Sequence, residues 1–122
     1  MFVDGQYVNE NLLPILSKIK IALLQNGSSA SSSEISLGAL KDNGRATSFG
    51  TRSFGKGVGF KTQRGPMGSM FRLSEMQYLT PSGFSPHHKG IDPDYLVVIN
   101  GDRTKTDPQR DAATNWLRFG HP

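Results

Sequence analysis

The hydrophobic and polar positions near the start of the chain predict a strand and a helix joined by a short polar turn. The apolar run over residues 19–24 is typical of a short buried strand, which we predict over residues 18–25. The next ten residues, 26–35, read N-G-S-S-A-S-S-S-E-I. Within them Ser31 and Glu34 have the S-x-x-E spacing of a capping box, in which two side chains bind free backbone N–H groups at a helix start.

The helix predicted after this turn covers residues 31–41. Gly44 follows it and can adopt the left-handed conformation that ends many helices. The apolar residues predicted to lie near one face of the helix are Ile35, Ala39 and Leu40. A strand, a turn and a capped helix in this order place a serine hydroxyl at a helix N-terminus, beside unpaired N–H groups and a partial positive charge.

The remaining pattern predicts short strands separated by turns. Further strands are predicted over residues 45–50, 70–79 and 95–99. Turns or loops are predicted where glycine, proline and polar residues concentrate, over residues 64–69, 80–83 and 87–94.

A second helix is predicted near the C-terminal end of the chain. Asp107 is its expected N-cap, and Pro108 suits the first helical position. The predicted apolar face of this helix comprises Ala112, Ala113, Trp116 and Leu117. Residues 11–16 are predicted to form either a helical turn or a loop, because Pro14 disfavours a helix interior.

Composition indicates one small domain without cysteine chemistry. The chain has 122 residues, which is enough for one domain but few for an enzyme core. It contains no cysteine, so disulfides and thiolate metal sites are excluded. No stretch approaches the roughly 18 apolar residues of a membrane span, and the N-terminal residues lack the pattern of a signal peptide. We therefore expect no membrane insertion by this chain.

The chain is basic, with a formal net charge of +4. Such an excess can steer anionic partners, and several of its cations lie near Phe54 and Phe60 in sequence. A small nucleic-acid-binding domain is therefore one alternative, but no recognised module pattern accompanies the charge, so we expect no nucleic-acid partner. Adjacent His87 and His88 have no carboxylate at ligand spacing, which favours a surface loop over a metal site.

Two residues, Ser31 and Lys56, form the candidate for catalytic chemistry. A serine hydroxyl becomes a good nucleophile when a neighbouring base takes its proton. A neutral lysine can be that base, and Ser–Lys pairs are a known variant of the catalytic triad. Lys56 lies between Gly55 and Gly57, which allow the backbone to turn sharply and carry its side chain into a crowded site. The alternatives without catalysis are a flexible serine-rich linker over residues 26–35 and a Lys56 side chain that points to solvent.

Several motifs in this chain resemble the carboxyl-terminal processing peptidases, also called tail-specific proteases. The serine segment of that family, roughly N-G-G-S-A-S-A-S-E-I followed by G-A-L-x-D-N-G-R-A, is similar to residues 26–35 and 38–46. Its lysine segment, G-T-x-x-F-G-K-G, is similar to residues 50–57. Its Y-x-T-P-S-G, K-G-I-x-P-D and D-P-Q-x-D-x-A motifs are similar to residues 78–83, 89–94 and 107–113. The motifs follow in one colinear order from about residue 20 to near the C-terminus.

The resemblance implies a serine-type endopeptidase that cleaves protein or peptide substrates near their C-termini. It assigns the nucleophile to Ser31, the general base to Lys56 and one oxyanion donor to the backbone N–H of Ser32. It implies an α/β fold with a ClpP/crotonase-like catalytic core, here partial and with a C-terminal helix, and it needs no metal or organic cofactor. It also implies a location in the cell envelope or periplasm.

The resemblance divides the chain into a poorly assigned segment, residues 1–18, and the C-terminal part of a catalytic domain, residues 19–122. The PDZ module and the glycine-rich oxyanion loop of the family have no counterpart before Lys20. The further partner would then be either a second copy of this chain in a homo-oligomer or a missing N-terminal half.

Two departures from the family pattern favour a second interpretation. Phe60 stands where the family usually has a glutamine that orients the lysine, and phenylalanine cannot hydrogen-bond an amine. Ser28 replaces a glycine beside the turn. The alternative function is therefore a catalytically impaired fragment or relative that acts as a protein-binding or scaffold module.

Overall fold

The computed structural model describes residues 2–3, 6–7, 18–100 and 106–122, except for the side chains of residues 2–3, 6–7 and 75. The helical turn or loop predicted over residues 11–16 lies outside these residues.

The described chain is a mixed α/β structure of short strands and two helices. The strands are β1 (Phe2–Val3), β2 (Gln6–Tyr7), β3 (Ala22–Gln25), β4 (Thr47–Gly50), β5 (Val58–Arg64), β6 (Met70–Gln77) and β7 (Tyr95–Leu96). The helices are α1 (Ser32–Asp42) and α2 (Pro108–Phe119), with a short 3₁₀ turn at Pro66–Gly68.

A three-stranded parallel sheet forms the centre, in the order β3-β4-β7. Parallel neighbours need a crossover connection, and α1 provides it between β3 and β4. Helix α2 packs against both of these strands. The loop after β3 and the loop after β4 therefore leave the sheet at the same edge, because both strands run in the same direction.

Phe49 of β4 is the centre of the small apolar core and is fully buried. Its ring stacks on Tyr95 at 5.0 Å between centroids and meets Trp116 of α2 at 5.8 Å. Trp116 was predicted on the apolar face of α2, and this contact is consistent with that prediction. Aromatic pairs at such distances are favourable beyond the area they bury.

The strands β5 and β6 form an antiparallel hairpin with a register shift between Gly59 and Phe60. The first of these strands was not predicted, because its sequence V-G-F-K-T-Q-R lacks a strict alternation of apolar and polar residues. The 3₁₀ turn at Pro66–Gly68 confirms the turn or loop predicted over residues 64–69. Much of the hairpin is exposed, including its large apolar residues Phe60, Met70, Phe71, Leu73 and Met76.

Helix α1 has nearly its predicted limits, and α2 begins where it was predicted to begin. Helix α1 begins after Ser31 and is followed by Gly44 in the left-handed region, with φ of 63°. The Asp107 carboxylate accepts a hydrogen bond from the Arg110 N–H at 3.1 Å, which confirms Asp107 as the N-cap of α2.

The predicted inward face of α1 and the predicted burial of β3 are wrong in part. The buried residues of α1 are Glu34, Leu37 and Gly38, whereas Ile35 is 47% exposed. In β3 Leu24 is 49% exposed, while Gln25 is buried because its amide donates to the carbonyls of Thr51 and Ile91. Polar contacts between distant segments therefore outweigh the apolar pattern at these positions. Leu117, predicted on the apolar face of α2, is also exposed.

Candidate active site

Ser31 has an unusual backbone conformation at the junction of the β3 loop and α1. Its φ of 57° and ψ of −118° are those of the first central residue in a type II′ turn, a position that favours glycine. The Ser31 carbonyl accepts the N–H groups of Glu34 and Ile35 at 2.9 and 3.0 Å, so the helix holds this residue firmly. Backbone strain held in place by its surroundings clusters at active sites.

The serine-rich run before Ser31 is an ordered turn. The Asn26 side chain accepts the Ser28 N–H at 2.8 Å, and the Ser29 hydroxyl accepts the Asn26 N–H at 3.1 Å. The Ser29 carbonyl accepts the Phe54 N–H at 2.9 Å, which ties the turn to the loop after β4. These bonds exclude the flexible-linker alternative.

The first N–H groups of α1 lie directly after Ser31. The Ser33 N–H donates to the Ala30 carbonyl at 3.2 Å, but the Ser32 N–H has no hydrogen-bond partner among the described residues. A free N–H at the positive end of a helix can stabilise an anion, which is compatible with the predicted role of Ser32 as an oxyanion donor.

Glu34 connects the serine turn to the loop that carries Lys56. Its carboxylate is fully buried and accepts hydrogen bonds from both segments. Oxygen Oε2 accepts the Ser31 N–H at 3.0 Å and the Lys56 N–H at 2.8 Å. Oxygen Oε1 accepts the Gly55 N–H at 2.7 Å and the Ser53 hydroxyl at 2.6 Å. One side chain therefore fixes the backbones of both predicted catalytic segments.

The surroundings of Glu34 favour its charged form. Burial raises the pKa of its carboxyl, but the hydrogen bonds from Ser53, Lys56, Gly55 and Ser31 outweigh burial, so the pKa lies below its usual value. A buried carboxylate without these donors would be strongly disfavoured.

The Lys56 loop is held on its other side by residues 86–90. The Gly55 carbonyl accepts the His88 N–H at 2.9 Å, and Gly55 has φ of 90°. A Cβ atom at Gly57 would lie 2.7 Å from the His87 backbone nitrogen. The glycines on both sides of Lys56 are therefore required by close backbone packing, which refines the prediction that they allow a sharp turn.

Lys56 itself is half-buried, and its ammonium lies 5.5 Å from the centre of the Phe60 ring. This distance is within the range of a cation–π contact. Phe60, which stands where the family usually has a glutamine, therefore contacts the predicted base Lys56 through its aromatic ring. The structure brings Ser31, Ser32 and Lys56 into one region through Glu34, while their catalytic roles remain predictions.

Tyr78 is a residue of this region to which the sequence assigned no function. Its hydroxyl lies 3.5 Å from the Ser31 carbonyl oxygen. Burial is the main reason that the pKa of Tyr78 is raised to about 12. The negative charge of Glu34 and a hydrogen bond to its carboxylate contribute to the same rise. Both Tyr78 and Glu34 belong to motifs that carry the resemblance, and that membership was the signal available in the sequence.

Asp92 and Asp94, which lie in the loop predicted over residues 87–94, connect separate elements. The Asp94 carboxylate accepts the Ser48 N–H and hydroxyl at 2.7 and 3.0 Å, and it pairs with Lys41 of α1 at 3.2 Å. Asp92 pairs with Arg52 through two hydrogen bonds of 2.7 and 3.1 Å. These contacts hold the chain after the Lys56 loop against α1 and β4.

The rings of His87 and His88 lie 3.9 Å apart, but the described residues contain no group of three potential metal ligands. A small cavity of about 120 Å³ is lined by Asn26, Ile99, Thr106, Asp107 and Gln109. It lies at the start of α2, apart from Glu34 and the Lys56 loop. Among the residues described, no helix is long and apolar enough to cross a membrane.

The family comparison identifies the class of this protein as a peptidase. The model of peptidase family S41 matches residues 4–97, so the chain belongs to peptidase family S41.

Known relatives and solved structures support this assignment. A "Probable CtpA-like serine protease" of Staphylococcus epidermidis is 34% identical over 111 residues, which cover 84% of this chain and 23% of the relative. The chain therefore spans about a quarter of the length of that relative. The photosystem II D1 C-terminal processing protease is similar at a TM-score of 0.63 and 34% identity, over 65% of this chain and 20% of that one. The tricorn protease is similar at a TM-score of 0.67 and 25% identity, over 81% of this chain and 10% of that one.

Proposed function

We propose that this chain is the catalytic part of a serine endopeptidase that cleaves proteins near their C-termini with a Ser31–Lys56 dyad. The observation that carries the proposal is the shared carboxylate oxygen of Glu34, which accepts the backbone N–H groups of both Ser31 and Lys56. The strained conformation of Ser31 at a helix start and the relatives named above support it.

In the proposed reaction the Ser31 hydroxyl attacks the scissile carbonyl carbon while the Lys56 amine takes the hydroxyl proton. The Ser32 N–H stabilises the oxyanion of the tetrahedral intermediate. The proton then passes from Lys56 to the leaving amine, and water hydrolyses the acyl-enzyme with Lys56 again as the base. No metal or organic cofactor takes part.

The same proposal includes the rest of the catalytic framework. We propose that the parallel sheet and its helices are part of a ClpP/crotonase-like core, with upstream residues supplying further oxyanion donors and substrate contacts. We also propose protein or peptide substrates in the cell envelope.

A protein-binding or scaffold module is the second candidate function. The observations that favour it are the Phe60 ring in place of a hydrogen-bonding amide and the exposed apolar residues of the β5–β6 hairpin. Such a module would bind unfolded segments without cleaving them.

The test compares digestion of an unfolded protein that has an apolar C-terminus by four variants and the unaltered chain. Ser31→Ala and Lys56→Ala are expected to lower the cleavage rate at least about a thousandfold. Ser33→Ala and Lys61→Ala are the matched controls and are expected to retain activity, because neither residue belongs to the proposed dyad. Binding without cleavage by the unaltered chain would instead support the scaffold function. Equal cleavage by Ser31→Ala would refute the dyad.

A further inference from the structure

One face of the β5–β6 hairpin is cationic and continuous with Lys56. Opposite residues of an antiparallel pair lie on the same face, and successive residues alternate between faces. The pairs Phe60–Ser74, Thr62–Arg72 and Arg64–Met70 therefore share one face, which we call the cationic face. These three pairs contain two arginines and no acidic residue.

Phe60 joins this face to the candidate active site. The Arg72 guanidinium carbon lies 5.7 Å from the centre of the Phe60 ring, and the Lys56 ammonium lies 5.5 Å from the same centre. Arg72 is exposed and has no carboxylate partner among the described side chains. Stacking on an aromatic ring restricts a guanidinium group while leaving its N–H donors available to an anion.

Resting on the proposed peptidase function, we propose that Arg72, oriented by Phe60, is a specificity-determining residue that binds a carboxylate of the substrate close to the scissile bond. A guanidinium group binds a carboxylate with two parallel hydrogen bonds, which suits either a C-terminal carboxylate or an acidic side chain. Because one ring connects Arg72 and Lys56, and an extended residue spans about 3.3–3.6 Å, the carboxylate lies within about three residues of the cleaved bond.

The substitution at position 60 gives this proposal its physical basis. A glutamine at that position would bind the lysine through hydrogen bonds, but it would offer no aromatic ring to a second cation. Phe60 contacts Lys56 and Arg72 at once. The residue that departs from the family pattern therefore couples a surface cation to the predicted base.

The test measures binding separately from cleavage, so that the two proposals can fail independently. The probes are ten-residue apolar peptides with an N-terminal fluorophore, ending in a free carboxylate or in a carboxamide. A second pair ends in a carboxamide and carries Glu or Gln as its third-last residue. Fluorescence anisotropy gives the dissociation constant of each peptide with the unaltered chain.

We expect the unaltered chain to bind at least one carboxylate-bearing peptide about tenfold more tightly than its neutral counterpart, as for a charge-assisted pair near water. Arg72→Gln is expected to abolish this ratio, and Arg72→Lys to retain only part of it. Arg64→Gln is the matched control, because it removes the same charge from the same face but farther from Phe60, and it is expected to preserve the ratio. The two peptide pairs identify whether the terminal carboxylate or the acidic side chain is bound.

Three results would overturn the inference. They are equal binding of charged and neutral peptides, no binding of either, or equal loss of the ratio in Arg64→Gln and Arg72→Gln, which would indicate general attraction by the basic surface. Cleavage that depends on Ser31 and Lys56 but ignores the carboxylate would leave the peptidase proposal standing while refuting the role of Arg72.

Discussion

Ser31 combines a conformation that favours glycine with a side chain that the proposed chemistry requires. Its φ of 57° places the serine at the start of α1, where the neighbouring Ser32 N–H is free of partners among the described residues. Glu34 then fixes the Ser31 backbone through a bond of 3.0 Å. The strained conformation of Ser31 lowers the stability of the folded chain, and it places the serine side chain at the helix terminus.

The strain at Ser31 predicts that Ser31→Gly is more stable than Ser31→Ala. Glycine adopts this conformation freely, whereas alanine retains the contact between its Cβ and the backbone, so the difference in the free energy of unfolding is expected to be about 1 kcal/mol. Urea denaturation of both variants measures it. As a control, the same pair at Ser36, an exposed position in the middle of the helix, should show the opposite order, because glycine destabilises a helix interior. Equal stabilities at position 31 would contradict the strain.

Helix α1 packs closely against the turn after β6, and Gly38 makes this approach possible. A Cβ atom at Gly38 would lie 2.6 Å from the Thr80 Cγ2 atom and 3.2 Å from its Cβ. Thr80 is buried, and the N–H of nearby Ser82 donates to the Asp42 carboxylate at 2.9 Å. The helix that carries Glu34 is therefore positioned by the motif of residues 78–83.

This contact predicts that Gly38→Ala destabilises the chain, although alanine normally favours a helix. We expect a loss of about 1–3 kcal/mol, the usual cost of overpacking. Thr80→Ser removes the Cγ2 atom and keeps the hydroxyl, so it should recover part of the loss when combined with Gly38→Ala. A double-mutant cycle by urea denaturation measures this coupling. Additive effects of the two substitutions would show that the helix moves away rather than packing against Thr80.

Three carboxylates hold distant parts of the chain together. Glu34 joins α1 to the Lys56 loop, Asp42 joins the end of α1 to Ser82, and Asp94 joins β4 to Lys41. Hydrogen bonds from Thr80 and Ser82 lower the pKa of Asp42. Burial raises the pKa of Asp94, but hydrogen bonds from Ser48 and the charge of Lys41 outweigh burial, so this pKa lies below its usual value.

These lowered pKa values predict that the chain loses stability in acid. Each carboxyl binds a proton less readily in the folded chain, so the unfolded chain takes up protons first as the pH falls below about 4, the usual carboxyl range. The stabilisation is complete above that range and disappears as the pH falls through the lower folded values.

Urea denaturation between pH 7 and pH 3 tests this dependence. The free energy of unfolding should fall with pH, and Glu34→Gln should be less stable at pH 7 and show a smaller fall. Asp111→Asn is the control for the loss of one negative charge, because Asp111 is exposed and its ion pair is with the adjacent Arg110 rather than with a distant segment. A free energy of unfolding that does not vary over this range would contradict the assignment of the three carboxylates.

Local residue patterns accounted for the helices and the order of the main elements. The spacing of Ser31 and Glu34, and the Asp107–Pro108 pair, predicted the starts of α1 and α2, because capping depends on residues only a few positions apart. The glycines and prolines predicted the turns for the same reason. The motifs that resemble the peptidase family also follow directly from the order of residues, and the family match over residues 4–97 confirmed the resemblance.

Contacts between distant segments decided the burial of individual side chains. Nothing in the local pattern of α1 indicates that Glu34 is more buried than Ile35, because this depends on donors from Ser53, Gly55 and Lys56. The β5 strand likewise forms by pairing with β6, which compensates for its weak alternation. The sequence therefore determined where helices begin and which motifs are present, whereas tertiary hydrogen bonds determined which residues meet, because the free energy of burying a polar group depends on the partners that folding provides.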